Sequence, residues 1–249
     1  MGYRLMAHMV AFYPNRNGSL EVARALIEGG CTYLEVQFPF SDPTADGSAI
    51  QTACVRALEG GFKVEKGFGL IRSIREQHDL PIFLMCYANT LFFHGVEAFL
   101  DRCISFRVQG IIVPDLPYDY DENLFDQAGK RGLWAVPVVA PTVQDERLRS
   151  ILGLKPFYLY AALRKGITGQ ETAIGNDNIG FLKKIGEHAE GNDVRILAGF
   201  GVSKQEQIVS LAPHVHAAIV GSAFIRAIME RGSRSLYDAV RGKMEELQR

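Results

Sequence analysis

The sequence predicts an α/β protein in which eight strand–helix units close into a (β/α)8 barrel of the TIM type. Short apolar, β-branched runs alternate with longer stretches of helical periodicity, which is the pattern of βαβ units in a parallel sheet. Eight such units fit within 249 residues, a usual size for this barrel. No GxGxxG motif follows the first strand, and its absence disfavours a doubly wound dinucleotide-binding sheet.

The first half of the chain supplies four strands with their helices. Each strand is a short run rich in β-branched and aromatic residues. Between the strands, apolar residues recur at helical spacing, and Gly29-Gly30 gives the first helix its stop signal. The predicted strands are residues 5–12, 32–38, 81–87 and 110–115, and the predicted helices are residues 19–30, 49–77, 95–106 and 121–132.

The second half of the chain repeats this alternation. Its predicted strands are residues 134–140, 157–162, 194–201 and 216–222, and its predicted helices are residues 144–154, 178–189, 204–212 and a last segment from Ala223 onward. No stretch rich in proline, glycine or serine interrupts the pattern as a linker would. We therefore expect a single barrel domain over residues 1–249.

The composition excludes several classes of protein. With 27 basic and 28 acidic residues the net charge is −1, so the chain lacks the positive patch of a nucleic-acid-binding protein. No apolar stretch approaches the roughly 20 residues of a membrane span, and the N-terminus lacks the features of a signal peptide. The four cysteines are widely spaced in apolar surroundings, which indicates reduced thiols, a cytoplasmic protein and no metal site.

The stretch LEVQFPFSDPTADG, residues 34–47, places a carboxylate inside an apolar strand. Because strand side chains alternate, Tyr33, Glu35 and Gln37 share one face, and the residues between them suit packing under the helices. Glu35 should therefore point into the barrel mouth, where a carboxyl group can donate and accept a proton. The alternative is a glutamate paired with a buried arginine or lysine, but no basic residue is expected near the end of a neighbouring strand.

Two more acids follow in the loop after this strand. Asp46 is a candidate for the site because strand ends and the loops after them carry the chemistry of such barrels. The loop is longer than usual for a strand–helix connection, which favours a function. The position of Asp46 is also that of an ordinary turn residue, and Asp42 is best explained as a residue that shapes the loop.

The last three strand ends suggest a phosphate site. Tyr160 ends the sixth strand at the rim, and a loop with Thr168 and Gly169 follows it. The seventh and eighth strands end in AGFGVS and IVGSAF, each opening a helix. Glycine turns at helix N-termini present backbone N–H groups to anions, and the loops after strands seven and eight commonly bind phosphate in this fold. We therefore expect a small phosphorylated substrate.

These motifs together resemble the tryptophan synthase alpha chain family. The stretch LEVQFPFSDPTADG is the most specific, and the similarity continues in CYAN (86–89), PDLP (114–117), residues 160–169, GFGVS (199–203) and Gly221-Ser222. The resemblance covers nearly the whole chain. It implies a barrel lyase of tryptophan biosynthesis that cleaves indole-3-glycerol phosphate to indole and glyceraldehyde 3-phosphate.

The resemblance also implies roles for individual residues. Glu35 matches the glutamate that moves protons between indole C3 and the side-chain hydroxyl. Asp46 matches the aspartate that hydrogen-bonds the indole nitrogen. The implied substrate-binding residues are Tyr160 at the glycerol portion, Ile50 and Met85 at the indole ring, and Thr168, Gly169, Phe200, Gly201, Gly221 and Ser222 at the phosphate end.

A partner is implied as well. Alpha chains of this family bind a beta chain that carries pyridoxal phosphate, in an alpha2beta2 tetramer, and no cofactor or metal is expected in this chain. The implied contact residues are Asp42, Pro39, Asp115 and Pro117. Two alternatives stay open: a stand-alone lyase without a beta partner, and a catalytically silent alpha-like chain that activates a beta chain.

Three positions depart from the family pattern. His8 stands where an aromatic residue commonly lines the indole site, and Leu163 stands where serine is usual. Gln37 replaces a common glycine on the face of Glu35, so it is expected to narrow the pocket or to hydrogen-bond Glu35.

Overall fold

A computed structural model describes residues 3–163 and 174–249 of the chain. Within these residues, parallel strands form a nearly closed barrel inside a layer of helices, as the sequence predicts. The strands are β1 (Leu5–Val10), β2 (Tyr33–Gln37), β3 (Ile82–Met85), β4 (Gly110–Ile112), β5 (Trp134–Val136), β6 (Val138–Val139), β7 (Tyr158–Ala162), β8 (Arg195–Gly199) and β9 (Ala217–Val220). That the whole chain is one domain stays a prediction.

The helices lie between and after the strands. They are α1 (Arg16–Glu28), α2 (Ser48–Glu59), α3 (Val64–Gln77), α4 (Ala88–His94), α5 (Val96–Ser105), α6 (Leu124–Lys130), α7 (Asp145–Gly153), α8 (Asn176–His188), α9 (Gln205–Leu211), α10 (Ser222–Met229) and α11 (Leu236–Gln248). None of these helices has the length and apolar composition that crossing a bilayer requires.

The strand order explains why nine strands make an eight-fold barrel. Around the sheet the order is β5-β4-β3-β2-β1-β9-β8-β7-β6. β5 and β6 are two halves of the predicted strand 134–140, separated at Pro137. Proline has no N–H to give to a strand ladder, but its carbonyl still accepts a hydrogen bond from the Tyr160 amide at 2.9 Å. The two halves thus pair with opposite neighbours, β4 and β7.

Glycines divide one predicted helical segment and separate another from a helix that was not predicted. The segment 49–77 forms α2 and α3, with a turn at Gly60-Gly61 where Gly61 has a φ of +78°. The single predicted helix 95–106 is preceded by α4, and Gly95, also at φ +78°, separates α4 from α5. The sequence prediction missed α4, which is only two turns long.

The barrel interior is filled from below by aromatic side chains. Tyr33 packs edge-to-face on Phe83 and on Tyr158, with ring centroids 5.7 and 6.0 Å apart. These residues stand at or near the N-terminal ends of their strands. The aromatic layer closes that half of the barrel and leaves the interior at the C-terminal strand ends for a cavity.

Candidate active site

A cavity of about 540 Å³ opens at the C-terminal ends of the strands. That volume includes space open to solvent at the mouth of the cavity. Its walls are mostly apolar, with a few polar groups pointing inward. It is lined by His8, Glu35, Asp46, Ile50, Met85, Ile112, Pro114, Val138, Tyr160, Phe200, Gly201, Val202, Ile219, Gly221 and Ser222.

Glu35 lies in this cavity with His8 beside it. Their Cα positions are partners in the β1–β2 ladder, so their side chains emerge next to one another. His8 Nδ1 is 3.4 Å from Glu35 Oε1, and both side chains are about 95% buried. The expectation that Glu35 has no basic neighbour is therefore wrong: the neighbour is a histidine, and the pair lies in the cavity itself.

The electrostatics of the pair favour a charged imidazole. Burial alone would lower the pKa of His8, but the Glu35 carboxylate and, further away, Asp46 raise it, and the pKa ends above its usual value. An imidazolium next to a carboxylate compensates the cost of burying either charge alone. Glu35 Oε2 is buried and has no hydrogen-bond partner among the described residues.

Asp46 is held by two side chains that converge on one of its oxygens. Gln37 Nε2 donates to Asp46 Oδ2 at 2.7 Å, and the Tyr87 hydroxyl donates to the same oxygen at 2.9 Å. Burial raises the pKa of Asp46, while His8 and these two hydrogen bonds oppose that rise. Gln37 therefore hydrogen-bonds Asp46. The hydrogen bond to Glu35, one of the two roles expected for Gln37, is not found among the described residues.

The loop that carries Asp46 is folded onto the barrel. The backbone N–H of Asp46 donates to the carbonyl of Pro43 at 3.0 Å, and the backbone carbonyl of Asp46 accepts from Gln51 Nε2 at 2.8 Å. The Tyr87 hydroxyl also accepts from the Ala45 amide at 3.1 Å. These bonds and the 3% exposure of Asp46 distinguish it from an ordinary exposed turn residue. The sequence analysis missed Tyr87, although it belongs to the CYAN stretch.

Tyr160 and Phe200 form another part of the wall. Tyr160 is buried on β7, and its ring meets Phe200 edge-to-face at 5.8 Å. Burial, then Glu35 and Asp46, raise the pKa of Tyr160 well above its usual value, so its hydroxyl keeps its proton. Phe200 has a φ of +77°, a conformation that is strained for a bulky residue and that typically marks a functional site.

Glycine turns end β8 and β9 beside this wall. Gly201 follows Phe200 with a φ of +88°, and Gly221 directly precedes α10, whose first residue is Ser222. A Cβ on Gly221 would lie 3.1 Å from His8 Cδ2, so only glycine fits without displacing the ring. The N-terminal amides of a helix lack intrahelical partners and can bind an anion.

The structure places most of the other predicted residues as well. Ile50 and Met85 line the cavity, whereas Thr168 and Gly169 lie outside the described residues. Asp42, Asp115 and Pro117 are exposed.

Pro39 is buried, unlike the other three predicted contact residues, and its place at a partner interface stays a prediction. Five apolar lining residues were not predicted from the sequence, all close to the ends of their strands: Ile112, Pro114, Val138, Val202 and Ile219.

Comparison with known proteins gives a consistent result. The family model described as tryptophan synthase alpha chain matches residues 2–248. The tryptophan synthase alpha chain of Helicobacter hepaticus is 37% identical over 238 residues, covering 93% of this chain and 88% of that one. That of Flavobacterium psychrophilum is 33% identical, covering 93% and 91%.

Solved structures agree with these sequence relatives. A tryptophan synthase complex from Pyrococcus furiosus superposes with a TM-score of 0.87 at 32% identity, covering 99% of each chain. Mycobacterium tuberculosis tryptophan synthase gives a TM-score of 0.88 at 28% identity, covering 99% of this chain and 91% of that one. Fold, motifs and relatives therefore agree that the chain belongs to the tryptophan synthase alpha chain family, the lyases of tryptophan biosynthesis.

Proposed function

We propose that Glu35 and Asp46 together cleave indole-3-glycerol phosphate to indole and glyceraldehyde 3-phosphate. This substrate joins a flat apolar bicycle to a phosphorylated polar chain. The cavity offers the matching groups: apolar walls, two buried acids from the β2 region, and glycine turns after β8 and β9. Apolar walls with a few convergent polar groups are typical of small-molecule sites.

Glu35 is the proton carrier in this proposal. Indole C3 must gain a proton before its bond to the glycerol chain can break, and Glu35 supplies it. Glu35 then accepts the proton of the hydroxyl on the departing carbon. The O–H electron pair becomes the carbonyl bond, and the electrons of the broken C–C bond return to the ring. Glu35 thus ends the cycle in the protonation state in which it began.

Asp46 stabilises the charge that the first step creates. Protonation at C3 leaves positive charge at the ring nitrogen, and a carboxylate that accepts the N1–H hydrogen bond offsets it. Gln37 and Tyr87 hold Asp46 Oδ2 in advance, so little reorganisation is needed during the reaction.

The phosphate end of the substrate belongs at the glycine turns. Gly201, Gly221 and Ser222 would bind it through backbone N–H groups and the Ser222 hydroxyl, with Phe200 as the adjacent wall. No lysine occurs in GFGVS or VGSAF, so binding would rest on main-chain dipoles. Thr168 and Gly169 complete this set in the proposal.

The convergence of two buried acids on one apolar cavity is the observation that carries this proposal. The test follows indole release from indole-3-glycerol phosphate. We expect Glu35→Gln to lower kcat by about 10²–10⁴-fold and Asp46→Asn by about 10²–10³-fold. Glu59→Gln, an exposed glutamate of α2, is the matched control and should behave as the parent. Near-normal turnover by a folded Glu35→Gln variant would overturn the mechanism.

Two exposed aromatic side chains support a beta-chain partner. Phe93 on α4, which follows β3, is 84% exposed, and Tyr120, three residues after Pro117 in the segment that follows β4, is 77% exposed. Large aromatic side chains are enriched at protein–protein contacts. The Pyrococcus furiosus relative is described as a tryptophan synthase complex. We therefore propose that Asp42, Asp115 and Pro117 contact a beta chain, which would carry the pyridoxal phosphate, in an alpha2beta2 assembly.

Titration with a beta chain tests the partner. We expect added beta chain to raise the rate of indole release. The Phe93→Ser variant should need more beta chain to reach the same rate, while its rate without beta chain stays that of the parent. Val209→Ser, at an apolar position on α9 that is 49% exposed, serves as the control. Indole release without stimulation would favour the stand-alone lyase, and stimulation of the beta chain without indole release would favour the silent activator. A cytoplasmic location stays a prediction.

A further inference from the structure

The imidazole of His8 is a titratable group of the cavity to which the proposed mechanism gives no task. It is 4% exposed, its Nδ1 faces Glu35, and its Nε2 is buried without a hydrogen-bond partner among the described residues. Leaving a buried polar atom unpaired is costly, whereas an aromatic hydrocarbon would fill the same space without that cost. The imidazole therefore calls for an explanation beyond packing.

We propose that His8 is a positioning residue that orients Glu35 and shares with it the single proton that the cleavage transfers. The inference rests on the proposed role of Glu35 and extends it to a second residue. It concerns a position at which this chain departs from its family pattern.

The geometry gives His8 a fixed place from which to act. On one side its Nδ1 lies 3.4 Å from Glu35 Oε1, at ion-pair distance. On the other side its Cδ2, Cβ and Cγ would all be within 3.2 Å of a Cβ on Gly221, so the ring fits closely against that turn. With Oε1 engaged by His8, Glu35 Oε2 is the oxygen left without a protein partner, and it remains available for the substrate.

The charges around His8 determine where the shared proton resides. The titratable groups of the cavity wall that face it are Glu35 on β2, Asp46 on the following loop and Tyr160 on β7. Burial opposes a charge on His8, but Glu35 and then Asp46 outweigh it, so its pKa is raised above 6.5. Tyr160 stays neutral because burial raises its pKa. The imidazole therefore keeps its proton to a higher pH than histidine ordinarily does, and in this proposal that one proton is shared between the two sites.

The proton count balances in this scheme. The imidazolium gives its proton to the Glu35 carboxylate, and the resulting carboxyl group protonates indole C3. The hydroxyl proton of the departing carbon then passes to Glu35 and back to His8. The N–H bond of His8 breaks and re-forms. In the substrate an O–H bond and the C–C bond break, while a C–H bond of indole and the second bond of the carbonyl group form. No other reactant is consumed.

The pH profile of kcat/KM tests the inference, because its alkaline limb reports when the free enzyme loses an essential proton. His8→Phe removes both the contact and the titrating group. We expect it to move the alkaline limb to lower pH by about one unit or more, because the imidazole with the raised pKa is then absent. We also expect a maximal kcat about tenfold lower, because Glu35 loses its support.

His8→Asn is the conservative variant. Its amide can place a donor where Nδ1 stands, but it cannot titrate. We expect it to recover part of the kcat that His8→Phe loses, because a donor again faces Glu35, while the alkaline limb stays shifted as in His8→Phe. If both variants keep the alkaline limb of the parent, His8 only fills space and the inference is wrong.

A titration of the His8 imidazole by nuclear magnetic resonance gives a readout that does not depend on activity. We expect His8 to stay protonated above pH 6.5 in the parent and to lose its proton at lower pH in Glu35→Gln. An unchanged His8 titration in Glu35→Gln would overturn the pairing. If Glu35→Gln keeps its turnover, the proposed function fails; if it is inactive while the His8 variants show no pH shift, only this inference fails.

Discussion

Replacing Gln37 by leucine should lower the activity of this enzyme while leaving its stability nearly unchanged. Gln37 is fully buried. Its Nε2 donates to Asp46 Oδ2 at 2.7 Å, while its Oε1 is buried without a partner among the described residues. Leucine has a similar size and removes the bond and the unpaired carbonyl together.

The two effects on stability have opposite signs. A hydrogen bond to a charged group contributes about 1.5–3 kcal/mol, and a buried unpaired acceptor costs about 1–3 kcal/mol. The free energy of unfolding should therefore change by less than about 1.5 kcal/mol. Activity has no such compensation, because Asp46 keeps only Tyr87 as a side-chain donor among the described residues. Losing about 1.5–3 kcal/mol of transition-state stabilisation lowers kcat/KM by about 10- to 150-fold.

Two measurements check this prediction on the same protein samples. Indole release from indole-3-glycerol phosphate gives kcat/KM, and urea unfolding gives stability. Gln77→Leu, at an exposed glutamine on α3, is the matched control and should alter neither quantity appreciably. An unchanged kcat/KM in Gln37→Leu would show that Asp46 does not depend on this bond. A stability loss above about 3 kcal/mol would show that the Gln37 carbonyl is well satisfied in solution.

Four further substitutions follow from close packing and charge. A Cβ on Gly67 would lie 2.7–2.8 Å from phenylalanine ring atoms, so Gly67→Ala should lower the free energy of unfolding by about 1–3 kcal/mol. A Cβ on Gly69, in the same helix, meets nothing within 4 Å, so Gly69→Ala should raise that free energy by about 0.5–1 kcal/mol. Urea unfolding measures both changes. Gly221→Ala should displace the His8 ring, which lies 3.1 Å from the added Cβ, and an increased KM in steady-state assays would check it. Burial and two nearby arginines lower the pKa of His216 to about 4. Because the unfolded chain binds this proton more tightly than the folded chain, the free energy of unfolding should fall as the pH drops from about 6.5 towards 4. The fall should be less steep in His216→Gln.

The barrel could be predicted from the sequence because its determinants are local. Alternation within one strand sufficed to direct Glu35 inward, and glycines at the ends of β8 and β9 identified the turns that border the cavity. The split at Pro137 and the short helix α4 were harder. Pro137 sits within an otherwise continuous apolar run, and seven residues of α4 are too few to show a clear helical period.

The partners of the two acids could not be read from the sequence, since they depend on strand register and loop path. His8 and Glu35 are neighbours only because β1 and β2 pair in that register. Gln37 shares a face with Glu35, which favoured a bond between them. The loop after β2 instead folds back and brings Asp46 within 2.7 Å of the Gln37 amide. Residue type identified the acids, and tertiary packing decided what holds them.

The two residues that depart from the family pattern should act on Asp46 jointly. Burial and the charge of Glu35 raise the pKa of Asp46, whereas His8, Gln37 and Tyr87 lower it. If His8 is removed, the carboxylate depends more on Gln37; if Gln37 is removed, it depends more on His8. The combined loss of kcat/KM in His8→Phe with Gln37→Leu should therefore exceed the product of the single losses.

A double-mutant cycle measures this coupling directly. Groups that support one charged site typically couple by about 0.5–3 kcal/mol, so the excess loss should be at least about twofold. Pairing Gln37→Leu with Glu59→Gln, which changes a distant exposed side chain, gives the uncoupled reference. If the losses from His8→Phe and Gln37→Leu simply multiply, each acid is supported separately, and the imidazolium does not compensate both carboxylates of the cavity.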